Sequence, residues 1–459
     1  MRWGLGIIAL FFSLGLSAQK VSLSLDTVLT WVERHHPVVR SLEYRMEGAN
    51  ANVMATRGSF DPYLSGNYSE KQFEGTEYFQ YGQAGLKLPT WLGVDVYAYR
   101  AFAEGVYLNP QETMPNEGLW KVGVSVPVGG DLIWDERRAM LRDAQLVVDR
   151  TEAEQRLAYS DVMYETHVRY FEWALKEAEY SIYKEVEQLA KERFEWLKRA
   201  YETGDRPAMD TVESRIQWYN RKLNTQEAAA KAAKARASLS AMLWTDGGVP
   251  LEVPDSIHPD LSALDFIIPN DSTKLYAMLA DQPQVAALTV EVDRALNQRR
   301  WKRAQLWPDV SVQYNFLRGG AGDATWNLPD NYQWGVQVNI PLFLRKARGN
   351  ADAAEAKYHE AELKRLNAIQ EAEAELIGLQ TQSYNLAQQW LQAEEVYNMS
   401  NTLLDAERRR FRIGESSVFL VNSRENSMVQ AAVKWLVIRK DYRLTLEKQK
   451  RLVAAYWEE

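Results

Sequence analysis

The chain has 459 residues, no Cys, 5 His and a formal net charge of −8, from 54 Lys and Arg against 62 Asp and Glu. The absence of Cys excludes disulfide scaffolds, thiolate metal sites and cysteine nucleophiles, and an acidic balance without a basic stripe argues against a nucleic-acid partner. The 16 Trp and 23 Tyr are amphipathic aromatic residues that favour boundaries between apolar and aqueous surroundings, so a membrane has to be considered.

Residues 1–18 have the features of a cleavable secretory signal peptide. Arg2 precedes a mostly apolar stretch from Leu5 to Leu16, which closes on Ser17 and Ala18. The alternative, a transmembrane anchor, needs about 20 apolar residues. No later segment offers 18 uncharged apolar residues, so we expect any insertion into a membrane to use β-strands.

The rest of the sequence contains two copies of one unit. Three prolines of the first copy recur in the second: Pro37 as Pro283, Pro62 as Pro308, and Pro127 as Pro341. The first two pairs are 246 positions apart and the third is 214 apart, so the first copy holds 32 additional residues between its last two prolines. We expect repeat 1 over residues 19–244, a linker over 245–275 and repeat 2 over 276–459.

Each copy is predicted to begin with a helix, at Ser41–Gly58 and Thr289–Leu306, and to continue with strands over about 61–128 and 308–341. The run YQWGVQVNI from Tyr332 is typical, because apolar and polar residues alternate strictly along it. Runs of about ten residues with this alternation suit transmembrane strands, although a soluble β-sandwich alternates in the same way. The Gln, Asn and Ser on the polar face, with Tyr and Trp near the strand ends, favour a barrel.

Long helices without proline are predicted after the strands, over residues 135–202 and 350–412. Each would be about 100 Å long at about 1.5 Å per residue. The second carries a heptad seam typical of coiled-coil packing, formed by Leu376, Leu379, Ser383, Leu386, Trp390, Ala393, Tyr397, Ser400 and Leu404. With the helices that follow them, the long helices predict two hairpins, over 131–244 and 345–457.

These elements and their order resemble the TolC-like outer-membrane efflux protein family. The residues that carry the resemblance are His36-Pro37, Phe60-Asp61-Pro62, VNIPLF from Val338 to Phe343, YETG ending at Gly204 and FRIG ending at Gly414. The resemblance covers Leu23 to Trp457. It implies a mixed α+β membrane protein, in which three protomers share an outer-membrane β-barrel built from both repeats. It also implies a periplasmic α-helical barrel built from the hairpins, with the linker around its equator.

The same resemblance implies the function. We expect the outer-membrane duct of a tripartite efflux or type I secretion system, a homotrimer in outer-membrane lipid that docks to a periplasmic adaptor and an inner-membrane transporter. Neither enzymatic activity nor a cofactor or metal is expected. The alternatives are a periplasmic adaptor, which has one helical hairpin per chain, and a coiled-coil surface protein, which would not explain the alternating strands.

One feature departs from the family. Members of the family usually have two strands in each repeat, which gives a trimeric barrel of 12 strands. The 32 additional residues of the first repeat put that number in question. They are about the size of one inserted β-hairpin. They could also lengthen the existing strands or form a flap.

The two hairpin tips are the expected docking surface for the adaptor. Gly204 and Gly414 are predicted to end helices in left-handed conformations. The docking residues are expected to be Gly204, Asp205, Arg206, Gly414, Glu415, Ser416 and Ser417. A threefold ring of carboxylates from Asp205 or Asp210 could form a cation-selective gate, and N-capping of the next helix by Asp210 is the alternative.

Prolines are expected where strands meet helices, at Pro62, Pro127, Pro308 and Pro341. Proline lacks an N–H group and ends both ladders and helices, so these residues could change the direction of the chain. Ordinary turn chemistry is the alternative interpretation. The acidic residues Asp131, Asp135 and Glu136 are interpreted as helix-start residues favoured by the helix dipole rather than as a metal site.

Overall fold

The computed structural model describes residues 21–279, 281–320, 326 and 330–457, so the predicted signal peptide, residues 1–18, lies outside the described residues. The elements of the first half are, in chain order, β1 (Val21–Leu23), α1 (Leu25–His35), α2 (Pro37–Arg57), β2 (Tyr63–Phe73), β3 (Thr76–Pro89), β4 (Asp95–Glu104), β5 (Leu119–Pro127), α3 (Gly130–Ile133), α4 (Glu136–Glu202) and α5 (Ala208–Ser240). Those of the second half are β6 (Ile257–Pro259), α6 (Ser272–Leu279), α7 (Pro283–Ala304), β7 (Asp309–Gly319), β8 (Tyr332–Asn339), α8 (Arg345–Arg412) and α9 (Val418–Leu452).

These elements form two compact units, and each unit draws on both halves of the sequence. The sheet unit consists of the described residues of Leu42–Leu157 and Ala280–Glu373. The helical unit consists of the described residues of Met1–Ser41, Ala158–Leu279 and Ala374–Glu459. The predicted repeats, 19–244 and 276–459, divide the sequence in another way and stay a prediction.

The sheet unit contains one six-stranded sheet in the order β2-β3-β4-β5-β7-β8. Every neighbouring pair is antiparallel, and a strand lies at each run in which the sequence alternates between apolar and polar residues. The matched prolines relate β2 to β7 and β5 to β8. If the predicted repeats hold, the additional residues of the first copy correspond to β3 and β4, which lie inside the sheet between β2 and β5 rather than forming a flap beside it.

Helices α2 and α7 lead into the sheet, as the sequence predicts, but both begin earlier than expected. They start at Pro37 and Pro283 rather than at Ser41 and Thr289. The reason is that proline is well suited to the first turn of a helix, where its missing N–H would have no intrahelical partner. The predicted starts were therefore several residues late.

The core of the sheet unit holds the beginning of α4 against its neighbours. Val53 and Phe60 pack against Leu141 and Ala144 of α4. On another side of α4, the Arg294 guanidinium of α7 donates two hydrogen bonds of 3.0 Å to the Asp143 carboxylate. A bidentate pair of this kind sets orientation as well as adding energy.

The helical unit is built around the later part of α4. Its buried aromatic residues Tyr170, Phe171 and Trp173 form a core with Val28 and Val32 of α1. The short strands β1 and β6 pair in parallel. In the described part of the chain, no helix has an apolar stretch of the length and hydrophobicity that crossing a membrane requires.

The predicted linker, residues 245–275, packs on α9 within the helical unit. The ring of Phe266 stacks on that of Tyr442 of α9, with 5.2 Å between centroids. The Tyr442 hydroxyl donates a hydrogen bond of 2.8 Å to the carbonyl oxygen of Ile267. These contacts fix the segment on α9, while its equatorial position around a helical barrel stays a prediction.

The heptad seam of α8 is the buried side of that helix, as predicted. Leu376, Leu379, Ser383, Trp390 and Leu404 are all buried. Gln449 of α9 donates hydrogen bonds to the Leu379 carbonyl oxygen and to the Ser383 hydroxyl, at 3.1 and 3.2 Å. A polar residue inside the seam is therefore satisfied by the neighbouring helix.

Candidate functional site

One face of the sheet is apolar across all six strands. A single cross-strand row consists of Leu64, Leu86, Ala98, Val122, Phe316 and Tyr332. The adjacent row, whose side chains point to the opposite face, consists of Tyr63, Lys87, Tyr97, Gly123, Asn315 and Gln333. The sheet thus has an apolar face and a polar face, in keeping with the alternation of the sequence.

The apolar face is most exposed on the two edge strands, β2 and β8. Relative exposure is 79% for Leu64, 62% for Trp334 and 52% for Val336. Contiguous apolar surface of this kind marks contact with a protein or a membrane. On the same face, Trp120 lies opposite Arg100 on one side and Arg318 on the other, a combination of aromatic and basic residues that suits the boundary of an apolar layer.

The four predicted junction prolines lie where strands begin and end. Pro62 and Pro308 directly precede β2 and β7, Pro127 is the last residue of β5, and Pro341 follows β8. The chain is packed tightly here. A Cβ atom on Gly130 would lie 1.8 Å from the Ala304 carbonyl oxygen, so only glycine, which has no Cβ atom, fits at this position. The positions agree with the expectation, and the role of the prolines in redirecting the chain stays a prediction.

The acidic residues after β5 act at a helix start, as interpreted from the sequence. The Asp135 carboxylate accepts a hydrogen bond of 2.8 Å from the backbone N–H of Arg138, which makes it the N-cap of α4. Among the described residues, no group of three or more His, Asp or Glu side chains is placed to hold a metal ion.

The two hairpin tips have the same backbone geometry. Gly204 and Gly414 have φ values of 81° and 84°, the left-handed conformation expected from the sequence. After each glycine the next N–H group reaches back to the helix end: Asp205 to the Ala200 carbonyl oxygen at 2.8 Å, and Glu415 to that of Arg410 at 2.9 Å. This is the Schellman pattern, which satisfies the free carbonyl groups at a helix end.

The side chains of the second tip begin α9. Ser417 is the N-cap, and its hydroxyl accepts a hydrogen bond of 3.3 Å from the Leu420 N–H. The neighbouring Ser416 hydroxyl donates to the buried Glu407 carboxylate of α8. Both serines predicted for docking therefore also hold the turn in place.

At the first tip, the two candidate gate residues have different partners. The Asp205 carboxylate is exposed and accepts a hydrogen bond of 2.8 Å from the Thr203 hydroxyl. Asp210 lies 3.9 Å from the Arg206 guanidinium. Since Pro207 is the N-cap and α5 begins at Ala208, Asp210 is the third residue of the helix. The N-cap interpretation of Asp210 is therefore wrong, because the helix starts earlier than its sequence suggests.

Exposed apolar residues lie at both tips, where the sequence predicted only polar residues and glycine. Relative exposure is 77% for Met209, 59% for Val212, 70% for Ile413 and 68% for Phe419. The signal was present in α5, where Met209 and Val212 begin a run spaced three and four residues apart that continues through Ile216, Tyr219 and Leu223. All five side chains of that run are exposed, so this stripe faces away from its own unit.

A buried carboxylate near the tips was also missed. Glu425 of α9 is fully buried and lies within 4.0 Å of arginines from three other helices: Arg193 of α4, Arg221 of α5 and Arg408 of α8. Burial lowers the pKa of the Arg221 guanidinium. The sequence signal was a charged residue inside an apolar seam, formed by Val418, Val421, Val429, Ala432 and Leu436 around Glu425.

The chain is similar to known proteins in sequence and in fold. A family model described as outer membrane efflux protein matches residues 111–243 and 275–445, about two thirds of the chain. No curated protein sequence matches significantly. The fold is similar to that of the Campylobacter jejuni CmeC outer membrane channel, at 14% identity over 94% of this chain and 85% of that one, with a TM-score of 0.67.

Two further solved structures share the fold. Vibrio cholerae outer membrane protein VceC is 16% identical over 93% of this chain and 95% of its own, with a TM-score of 0.67. The open state of the Neisseria gonorrhoeae MtrE outer membrane channel is 14% identical over 96% of this chain and 93% of its own, with a TM-score of 0.66. At such identities the likeness is one of fold.

Proposed function

The chain belongs to the outer membrane efflux protein family, and from that premise we propose that it is the outer-membrane duct of a tripartite efflux or type I secretion system. It conducts substrates passively from an inner-membrane transporter across the periplasm and the outer membrane. Three copies share one β-barrel formed by their sheets and one periplasmic barrel formed by their helical hairpins. Membership of the family sets aside the adaptor and the surface protein.

The observation that carries this proposal is the exposed apolar face of the sheet. In water such a surface would be unfavourable by about 25 cal/mol for each Å² exposed, whereas lipid solvates it. The polar face opposite it suits the wall of an aqueous passage. A sheet inserted in lipid cannot leave its edges unpaired, because the free backbone groups would lack partners, so further copies of the chain have to complete it.

The hairpin tips are the proposed docking surface for a periplasmic adaptor. The polar residues expected from the sequence, Asp205, Arg206 and Glu415, are joined there by the exposed apolar side chains of Ile413 and Phe419. A surface with an apolar centre and charged surroundings is the usual composition of a protein interface. The gate is proposed at the same tips, from Asp205 or Asp210 of three copies.

Single-channel conductance in a planar bilayer tests the duct and the gate together. The purified protein is compared with Asp205→Ala, with Asp210→Ala, and with Glu227→Ala, a control in which an exposed carboxylate of α5 is removed away from the tip. We expect small cation-selective steps that become larger and less selective in at least one tip variant and are unchanged in the control.

Conductance steps that are the same in all variants would support the duct and contradict the gate at Asp205 or Asp210. A folded protein that never inserts would contradict the duct itself. A trimer that resists heat on a gel, and that leaves the membrane only with detergent, would support the proposed assembly independently of any conductance.

A further inference from the structure

We propose that β8 of one copy pairs with β2 of the next, so that three copies close a single barrel of 18 strands. This inference rests on the proposed function for the number of copies, three, and on the six sheet strands that the described residues of each copy form. It makes the outer-membrane passage wider than the 12-stranded barrel expected from the family resemblance.

The two edges of the sheet are open. Among the strands that the structure describes, β2 and β8 stand first and last in the order and each pairs on one side only. All eight residues of β8 are exposed, as are ten of the eleven residues of β2. Each strand therefore presents a row of unpaired N–H and C=O groups that another strand can satisfy.

The two edges are compatible with each other. Because the six strands alternate in direction, β2 and β8 run in opposite directions, and β8 of one copy meets β2 of a rotated copy as an antiparallel pair. The side chains agree as well, since Leu64 on β2 and Trp334 on β8 both lie on the apolar face. Joining the edges therefore continues one apolar belt from copy to copy.

One copy cannot close a barrel alone, because the smallest membrane barrels have about eight strands. With strands about 4.8 Å apart and tilted by about 40°, a barrel of 12 strands is about 24 Å across between backbones, and one of 18 strands is about 36 Å across. The inserted pair β3 and β4 makes this difference. The outer barrel then does not set the size limit of the duct, which lies with the helical tips.

Disulfide cross-linking tests the junction, because the chain has no cysteine of its own. Asn67→Cys on β2 is combined in one chain with Gln333→Cys, Gly335→Cys or Gln337→Cys on β8, all on the polar face. We expect oxidation to link copies covalently up to a closed trimer in at least one combination, and no links from any single cysteine. A control chain carries Asn67→Cys with Lys121→Cys on β5, which is separated from β2 by two strands.

The outcomes separate the inference from the function on which it rests. A covalent dimer as the end product would mean 12 strands from two copies. A link within one chain in the control would mean that β2 lies beside β5 and that the inserted pair is outside the barrel. If no link forms at any of the three β8 positions, β8 of one copy does not pair with β2 of the next. Each of these results overturns the 18-stranded barrel without contradicting conductance through a duct, and the covalent dimer in addition replaces the three copies of the proposed function by two.

Polymer exclusion gives a second measurement. Deletion of residues 76–117 joins Gly75 to Gly118 and removes β3 and β4 with their loops, which leaves the antiparallel alternation intact because two strands are lost. We expect the diameter of the largest polyethylene glycol that enters from the outer side to fall to about two thirds of the wild-type value, in proportion to strand number. If the deletion variant inserts and admits the same largest polymer as the wild type, the proposal is contradicted. If the variant does not insert, the cross-linking result decides whether the barrel has 18 strands.

Discussion

Arg193 of α4 donates two hydrogen bonds, of 3.0 and 2.8 Å, to the fully buried carboxylate of Glu425 on α9. The two residues are 232 positions apart, and the bond joins a helix of the first hairpin to a helix of the second. Charges that are taken out of water are tolerated only when they are paired with good geometry. The pair is therefore a specific link between the hairpins just behind their tips.

Removing the charge of Glu425 should destabilise the helical unit strongly. Glu425→Gln leaves Arg193, Arg221 and Arg408 without their shared carboxylate, and breaking a buried pair in this way costs about 3–5 kcal/mol in the free energy of unfolding. Urea denaturation in detergent, followed by the loss of helical signal, measures the change. Glu227→Gln, at an exposed ion pair of α5 with Lys231, should leave the transition where it is. Equal stability of the two variants would contradict the role given to Glu425.

Alanine at either tip glycine should strain the turn without causing a clash. A Cβ atom on Gly204 or Gly414 meets nothing within 4 Å, so the cost is that of a left-handed backbone conformation, about 1–2 kcal/mol. Gly378→Ala is the matched control, because this glycine lies within α8 with equally open surroundings and should gain about 0.5–1 kcal/mol. Denaturation midpoints that move in opposite directions would agree with this prediction, and a stabilised Gly414→Ala would refute it.

Two neighbouring residues of β8 should respond differently to the same charge. Val336 lies on the apolar face and Gln337 on the polar face, so Val336→Arg places a guanidinium in lipid, at a cost of about 2–4 kcal/mol if it lies near the bilayer midplane. Gln337→Arg should fold nearly as well as the wild type. Folding yield and urea stability in lipid vesicles provide the measurement. A reversed order of the two variants would place lipid on the other face.

The exposed apolar residues at the tips should matter for export and not for the channel itself. Phe419→Ser removes a side chain that is 68% exposed, and we expect slower export of a fluorescent efflux substrate from cells with unchanged conductance in a planar bilayer. Leu363→Ser, which changes an equally exposed residue within α8, serves as the control. Normal export by Phe419→Ser would argue against docking at this residue.

Much of the fold was predictable because its signals are local. The alternation around Val336 reports a strand with two different faces, the heptad spacing from Leu376 to Leu404 reports the buried side of α8, and the glycine at each tip reports a helix end. Helix starts were predicted less accurately, and the reason is also local. Pro37 and Pro207 shift the starts of their helices, and this shift overturned the N-cap interpretation of Asp210.

The sequence by itself determined which residues form strands and long helices, where the hairpins turn, and which family the chain resembles. Only the tertiary structure decided that β3 and β4 lie inside the sheet and that Glu425 is shared by three arginines. The physical reason is that periodicity reports the surroundings of a residue, apolar or polar, but not the identity of its partner. Strand order and buried ion pairs depend on contacts between segments far apart in the chain, which form only when the whole chain packs.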